Sequence, residues 1–271
     1  VVHMEKRLMP FGEPDAADLL QTTLEEEGIR VLNGRRLGRA EPAGAGVRLV
    51  TESGEELVGE KLLVAAGRRP VLDGLKLENA GVAYDKRGIA VDRYLRTTRK
   101  HIFAPGDANG RALFSHAAMH QGMLALMNAM MPPFMRMDYR KYVVPWTVFT
   151  EPQVSHVGAT AAELDERGVR YETVESRYED YGAAIAEDIA TGYVRAYIGR
   201  RGRIYGASIV GEGSGEMINE WGLAIQKKLR ITDIMFLQHS FPTMSFLTKR
   251  VSEGWMMNRM KSPTLRRVMK W

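Results

Sequence analysis

The chain contains no cysteine. Disulfides, thiolate nucleophiles and cysteine-based metal sites are therefore excluded from its 271 residues. A complete Gly-x-Gly-x-x-Gly turn is missing as well. Its nearest approach, Gly-Glu-Gly-Ser-Gly at 211–215, falls short of the pattern and is expected to cap the helix that follows. No apolar run approaches the roughly 18 residues of a membrane-crossing helix, and no secretory leader is read at the start. A cytoplasmic location is expected.

The residues present are ordinary in amount and uneven in placement. A hydrophobic share of 45% and a charged share of 26% suit a globular protein, and the length allows one large domain or two to three small ones. Of 38 Lys and Arg against 33 Asp and Glu, seven bases and one acid, Glu253, lie from Lys249 onward. The remaining 248 residues then carry 31 bases and 32 acids, so the basic excess belongs to the tail. There Trp255, Met256, Met260 and Trp271 interleave with Arg259, Lys261, Arg266, Arg267 and Lys270. Two readings stay open: a solvated end, or peripheral contact with an anionic inner-membrane surface. With no basic stripe in the body, nucleic acid is not expected as a partner.

Periodicity organises the chain into three segments. Residues 1–4 read as the end of a buried strand. A helix is expected over 15–27, from Ala16, Leu19, Leu20 and Leu24 on one face, with Pro14 in its first turn and Gly28 at its stop. Strands are expected at 29–32, 47–51 and 61–65, with a Gly-Glu-Glu turn between the last two. Next come short strands within 81–92, a strand at 101–104, the loop Pro105-Gly106-Asp107 and a helix over 115–130. Its Met119, Met123, Leu126, Met127 and Met130 are expected to pack into a core. Residues 131–144 read as a linker. The third segment predicts strands at 193–198 and 204–210 around a Gly-Arg-Arg-Gly turn, then helices over 215–229 and 243–258. Together they suit an α+β domain with helices on one face of a sheet, a face that often mates with a symmetric copy.

The run 238–246 carries the sharpest chemistry: Gln-His-Ser-Phe-Pro-Thr-Met-Ser-Phe. It resembles the signature of the flavin-linked disulfide reductases, in which a His precedes Pro-Thr and a Glu follows four residues after the Pro. Other matches come in the family's order. Residues 1–10 resemble VVExxxRxLP, and Gly67-Arg68-Arg69-Pro70 resembles the GRxPN turn. Residues 97–107 resemble T…IYAxGD, and Ser115-His116-Ala117-Ala118 with Gln121-Gly122 resembles AHxAxxEG. Phe149-Thr150-Glu151-Pro152 with Val157-Gly158 resembles FTxPxxAxVG.

The resemblance implies incomplete Rossmann-like FAD- and NAD(P)-binding units followed by an α+β dimerisation domain. The implied boundaries are 1–69 for the remainder of the NAD(P) domain, 70–131 for the C-terminal part of the FAD domain, 145–260 for the dimerisation domain and 261–271 for the basic tail. It implies FAD and NAD(P)H as cofactors, a homodimer through the C-terminal domain and a small-molecule electron acceptor. Asp107 would accept hydrogen bonds from the flavin ribityl chain, with Gly106 allowing close backbone approach. The helix start at Ser115, His116 and Ala117 would face the flavin pyrimidine, its partial positive charge stabilising added negative charge. Gly67 and Arg68 would lie near the nicotinamide dinucleotide. His3 stands where NAD users place a ribose-binding Glu, which tilts the expectation toward NADPH, with Glu5 as an alternative carboxylate.

Phe241 and Phe246 occupy the positions of the family's His and Glu, and a phenyl ring neither accepts a proton nor holds an ion pair. No catalytic residue is therefore assigned. His239 is a weaker substitute acid, set on the other side of the Phe-Pro bend. The expectation is part of an FAD-dependent NAD(P)H oxidoreductase without that acid–base pair, the fragment alone inactive. The alternatives are a non-catalytic dimerisation and docking module, or a membrane-surface quinone reductase.

Overall fold

The computed structural model describes residues 1–261, so Arg266, Arg267, Lys270 and Trp271 of the tail reading lie outside the described residues, and Trp255, expected there among surface residues, is instead buried. Two compact units form: Val1–Leu63 together with the chain from Pro145 onward, and Val64–Val144 between them.

The first unit opens with α1, Pro14–Glu26, which has Pro at its start and buries Ala16, Ala17 and Leu20. Gly28 leaves the helix with φ 87°. On either side of α1, Val2 and Leu32 pair in a parallel bridge, a minimal β-α-β unit in which the expected strand 29–32 shrinks to one contact. A three-stranded antiparallel sheet follows: β1 (Leu37–Ala43), β2 (Gly46–Thr51) and β3 (Glu56–Gly59), with β2 in the middle. The expected strand at 61–65 does not form. The turn before it is tighter than the pattern indicates: the Thr51 hydroxyl accepts from the Glu55 N–H at 3.0 Å and Gly54 takes φ 86°, so β3 begins at Glu56.

In the second unit, β4 (Tyr84–Asp85) and β5 (Gly88–Ile89) form a small hairpin. The Asp85 carboxylate accepts from the Arg87 and Gly88 amides at 2.8 and 3.3 Å. The expected strand 101–104 contributes a single bridge, Arg96 to Phe103. A 3-10 turn at Gly106–Asn109 leads to α2, Ser115–Met130. Its methionine face is not core. Met119 and Met130 are 75% and 71% exposed, and Met123 and Leu126 are exposed too. The buried stripe is Ala117, Gln121, Leu124, Ala125 and Asn128. On a helix apolar nearly all round, periodicity does not select a face. Asn128 decides it, donating to the Met137 carbonyl at 2.9 Å and accepting from the Met137 N–H at 2.7 Å.

The chain then completes the first unit with β6 (Trp146–Val148), β7 (Val154–Gly158), α3 (Ala161–Glu166), β8 (Tyr171–Arg177), α4 (Gly182–Ala186), β9 (Tyr193–Gly199) and β10 (Ile204–Val210). After these come α5 (Ser214–Gln226), α6 (Ile231–Phe236) and α7 (Phe246–Met260). The five strands make one antiparallel sheet in the order β6-β7-β10-β9-β8. The β9–β10 turn is as expected, with Arg201 left-handed at φ 65°. Residues 211–213 do lead into α5, whose start is Gly213 at φ 73°.

The expectation of helices on one face is corrected. On one side the Ser155 and Ser214 hydroxyls meet at 2.9 Å under α5, which buries Met217, Ile218, Trp221 and Ala224, while α7 buries Leu247, Val251 and Trp255. On the other, Ala16 and Leu20 of α1 pack on Val154, Tyr193 and Val210. Covered twice, β7, β9 and β10 bury nearly consecutive residues, the pattern of a two-sided strand rather than an alternating one.

Candidate functional site

The turn at Gly106–Asn109 and the start of α2 bring together five of the singled-out residues. Gly106 is buried with φ 70°, and a β-carbon there would lie 2.8 Å from that of Ala118. Only glycine lets the turn sit this close to the helix. Asp107, the next residue, is exposed. Phe114 begins α2 without a side-chain cap, so the first helical amides are left to other partners. Ser115 and His116 are exposed there, His116 stacking on Phe114 at 5.4 Å, and Ala117 is buried. An exposed acidic residue and the positive end of a helix thus share one surface, an arrangement able to take a polyol and an anionic ring edge.

Gly67, with φ 102°, and Arg68 belong to the same unit, and the Arg68 guanidinium reaches the Leu113 carbonyl at 3.4 Å. His3 belongs to the other. Its backbone pairs with Leu32 and Arg35, and its Nδ1 is buried without a partner.

Sequence reasoning did not find what holds the turn. Gln121 Oε1 accepts from the Gly106 N–H at 2.9 Å and from Asn109 Nδ2 at 2.7 Å. Asn109 Nδ2 also donates to the Ala104 carbonyl at 2.8 Å, and its Oδ1 accepts from the Arg111 N–H at 3.0 Å. The signal was available: a polar residue at 121 on the same helical face as Ala117 and Leu124.

In the 237–246 loop, Phe241 is 70% exposed and Phe246 half-buried at the start of α7. Their rings meet edge to face, and Tyr181 lies behind them, stacked on Phe246 at 6.1 Å, its hydroxyl donating to the Thr243 carbonyl at 3.0 Å. The Phe241–Pro242 bond is cis. His239 is turned away into the fold, its side chain 3% exposed. Its Nε2 lies 3.1 and 3.3 Å from the Glu220 oxygens and its Nδ1 3.3 Å from the Leu237 carbonyl. Burial pushes the Glu220 carboxyl up, partly offset by His239. The pair fastens the loop to α5.

A second polar cluster joins α1 to the sheet. Arg195 bonds Asp15 and Glu175 at 2.6 Å each and covers the Tyr193 ring at 4.1 Å, while the Tyr193 hydroxyl donates to Asp15 at 3.1 Å. Burial opposes the Asp15 charge, but Arg195 and Tyr193 outweigh it and hold the carboxyl below its ordinary value. These residues line a cavity of about 320 Å³. Its charges are already paired to one another.

Two family models match. That of the pyridine nucleotide-disulphide oxidoreductases covers residues 1–122, and that of their dimerisation domain covers 144–250. The dihydrolipoyl dehydrogenase of Haloferax volcanii is 33% identical over 261 residues, spanning 94% of this chain and 54% of that protein. The mercuric reductase of Streptomyces lividans is 30% identical, spanning 92% and 53%. Among solved structures, LpdA from Mycobacterium tuberculosis superposes with a TM-score of 0.86 at 25% identity, over 93% of this chain and 55% of that one. A Cu(II) complex of the HOCl-induced flavoprotein disulfide reductase RclA from Escherichia coli gives 0.85 at 25% identity, over 93% and 58%. The chain spans about half the length of the curated relatives it matches. With a nucleotide-binding portion, a dimerisation domain and the ordered motifs between them, the chain belongs to the pyridine nucleotide-disulphide oxidoreductase family.

Proposed function

We propose that this chain is the C-terminal portion of an FAD-dependent NAD(P)H oxidoreductase that works without the family's His-Glu pair. The observation that carries the reading is the Gly106–Asn109 turn, which presents the exposed Asp107 beside the uncapped start of α2. FAD, when bound, supplies the redox chemistry between the nicotinamide and an acceptor. This chain's part is to bind and orient. Asp107 accepts from the ribityl hydroxyls, the amides of Ser115, His116 and Ala117 face the pyrimidine edge, and Gly67 and Arg68 attend the dinucleotide. The unpartnered Nδ1 of His3 offers a hydrogen-bonding group where a ribose-binding acid is expected, which favours NADPH.

The acceptor is a small molecule whose reduction does not use an acid at 241 or 246, such as a quinone, oxygen or a metal ion. The dimerisation domain supports a homodimer, and the exposed apolar face of α2 supports a need for further polypeptide before flavin is held tightly. The test is the visible spectrum of the purified protein after incubation with FAD, for this chain and for a form carrying the missing half of a family member. Flavin retained by the longer form and lost on Asp107→Ala is expected. Retention undiminished by Asp107→Ala would overturn the assignment. A colourless dimer in both forms would favour a docking module. Among the described residues no helix is long and apolar enough to cross a membrane.

A further inference from the structure

We propose that Gln121 is the positioning residue of the Asp107 turn and that its neutrality, where the family pattern places a carboxylate, sets how readily a bound flavin accepts electrons. The inference rests on the flavin reading above. Gln121 is 4% exposed and Asn109 5%, so neither has water to fall back on. One amide oxygen, Gln121 Oε1, receives both the Gly106 N–H and the Asn109 side chain, at 2.9 and 2.7 Å. Asn109 spends its second N–H on the Ala104 carbonyl and its oxygen on the Arg111 N–H. Three backbone groups, at 104, 106 and 111, are thereby tied directly or through Asn109 to one residue of α2, and Asp107 lies inside that span.

Removing the Gln121 acceptor orphans two buried donors at once, a cost that falls on the turn rather than on the helix. A carboxylate at 121 would accept from the same two donors and keep the turn, but it would set a buried negative charge next to the flavin-binding residues. Reduction adds electrons, so such a charge opposes it through a poorly screened interior. The amide holds the same geometry without that penalty.

Two variants separate geometry from charge. Gln121→Met keeps the volume and removes the acceptor, while Gln121→Glu keeps the acceptor and adds the charge. Amide hydrogen exchange in this chain reads the first: Gly106 is expected to exchange about tenfold faster or more in Q121M and at the original rate in Q121E, with the five-stranded sheet unchanged in both. A Gly106 amide equally protected in Q121M would overturn the positioning role. In flavin-loaded protein, the midpoint potential is expected to fall in Q121E. An unchanged potential with Gly106 still protected would overturn the charge role. Failure of the parent protein to take up flavin at all would sink the functional reading and leave the exchange result standing.

Discussion

Phe241 and Phe246 meet edge to face, with ring centroids 5.1 Å apart and planes at 73°. Two hydrocarbons are thus in contact at the two positions where the sequence resemblance leads one to expect an acid and a base. The double substitution Phe241→His, Phe246→Glu is therefore expected to fold and to form a hydrogen-bonded pair. Partnered by a carboxylate, the new imidazole has its pKa raised above its unfolded value. The stability it adds is complete below the ordinary histidine range and is lost as pH rises through the raised value. NMR titration of that ring checks this, and an unshifted pKa counts against a shared site.

Arg195 is the joint between α1 and the sheet. Replacing it with Met leaves Asp15 without its cation, while Glu175 keeps Arg177 at 3.1 Å. The expected loss is about 1–3 kcal/mol, below the roughly 3–5 kcal/mol of a fully buried broken pair because Asp15 is half exposed. The urea midpoint of Arg195→Met against the parent measures it, and a change under a few tenths of a kcal/mol would contradict it.

Acid should weaken the first unit in two stages. His156, 2% exposed and stacked on Trp146, has its pKa lowered by burial, against the pull of the Gly158 carbonyl and nearby Glu13 and Glu163. Below the ordinary value of 6.5 the unfolded chain takes up a proton that the folded one refuses, so stability falls. Asp15, held low by Arg195, contributes stability above its ordinary value of 3.8 and loses it as pH falls through the lowered one. Urea midpoints in neutral and mildly acidic buffers follow both. His156→Phe is expected to remove the first stage and keep the second.

Gly106→Ala is expected to destabilise the second unit by about 1–3 kcal/mol, from a left-handed backbone and an approach of 2.8 Å to Ala118. Hydrogen exchange should show the loss in residues 88–125 and not in the five-stranded sheet.

The α2 methionines should tolerate polar replacement. Met119→Gln with Met130→Gln is expected to change stability by under about 0.5 kcal/mol per site and to reduce self-association, since both side chains are exposed. Thermal melts with light scattering check this, and a large drop in Tm would return the face to the core.

Much of the fold was legible because several signals were local. Pro14 and Gly28 bracket α1, Gly213 starts α5, and the strands 193–198 and 204–210 declare themselves through β-branched residues around a glycine turn. The departures have long-range causes. The one-faced sheet was expected because its second cover, α1, lies more than 100 residues away in sequence and gives no local sign of its destination. The methionine face of α2 was misassigned because two buried amides, not the apolar residues, choose the inward side. At the candidate site, the glycine turn at 106 and the start of α2 at Ser115 were readable from the sequence. The partners of Gln121 were not, because an amide in an apolar stripe marks a position without naming its donors.

The closing of the sheet by α1 also bears on how the molecule is made. Glu13 accepts from the Ala161 amide across 148 residues of chain, and the Tyr193 hydroxyl reaches Asp15 across 178. During synthesis the first helix must leave the ribosome long before the strands that cover its apolar side exist. Such distant closures delay assembly and leave greasy surface waiting for its mate. Chaperone capture of nascent chains that end before Val210 is the natural outcome of that delay.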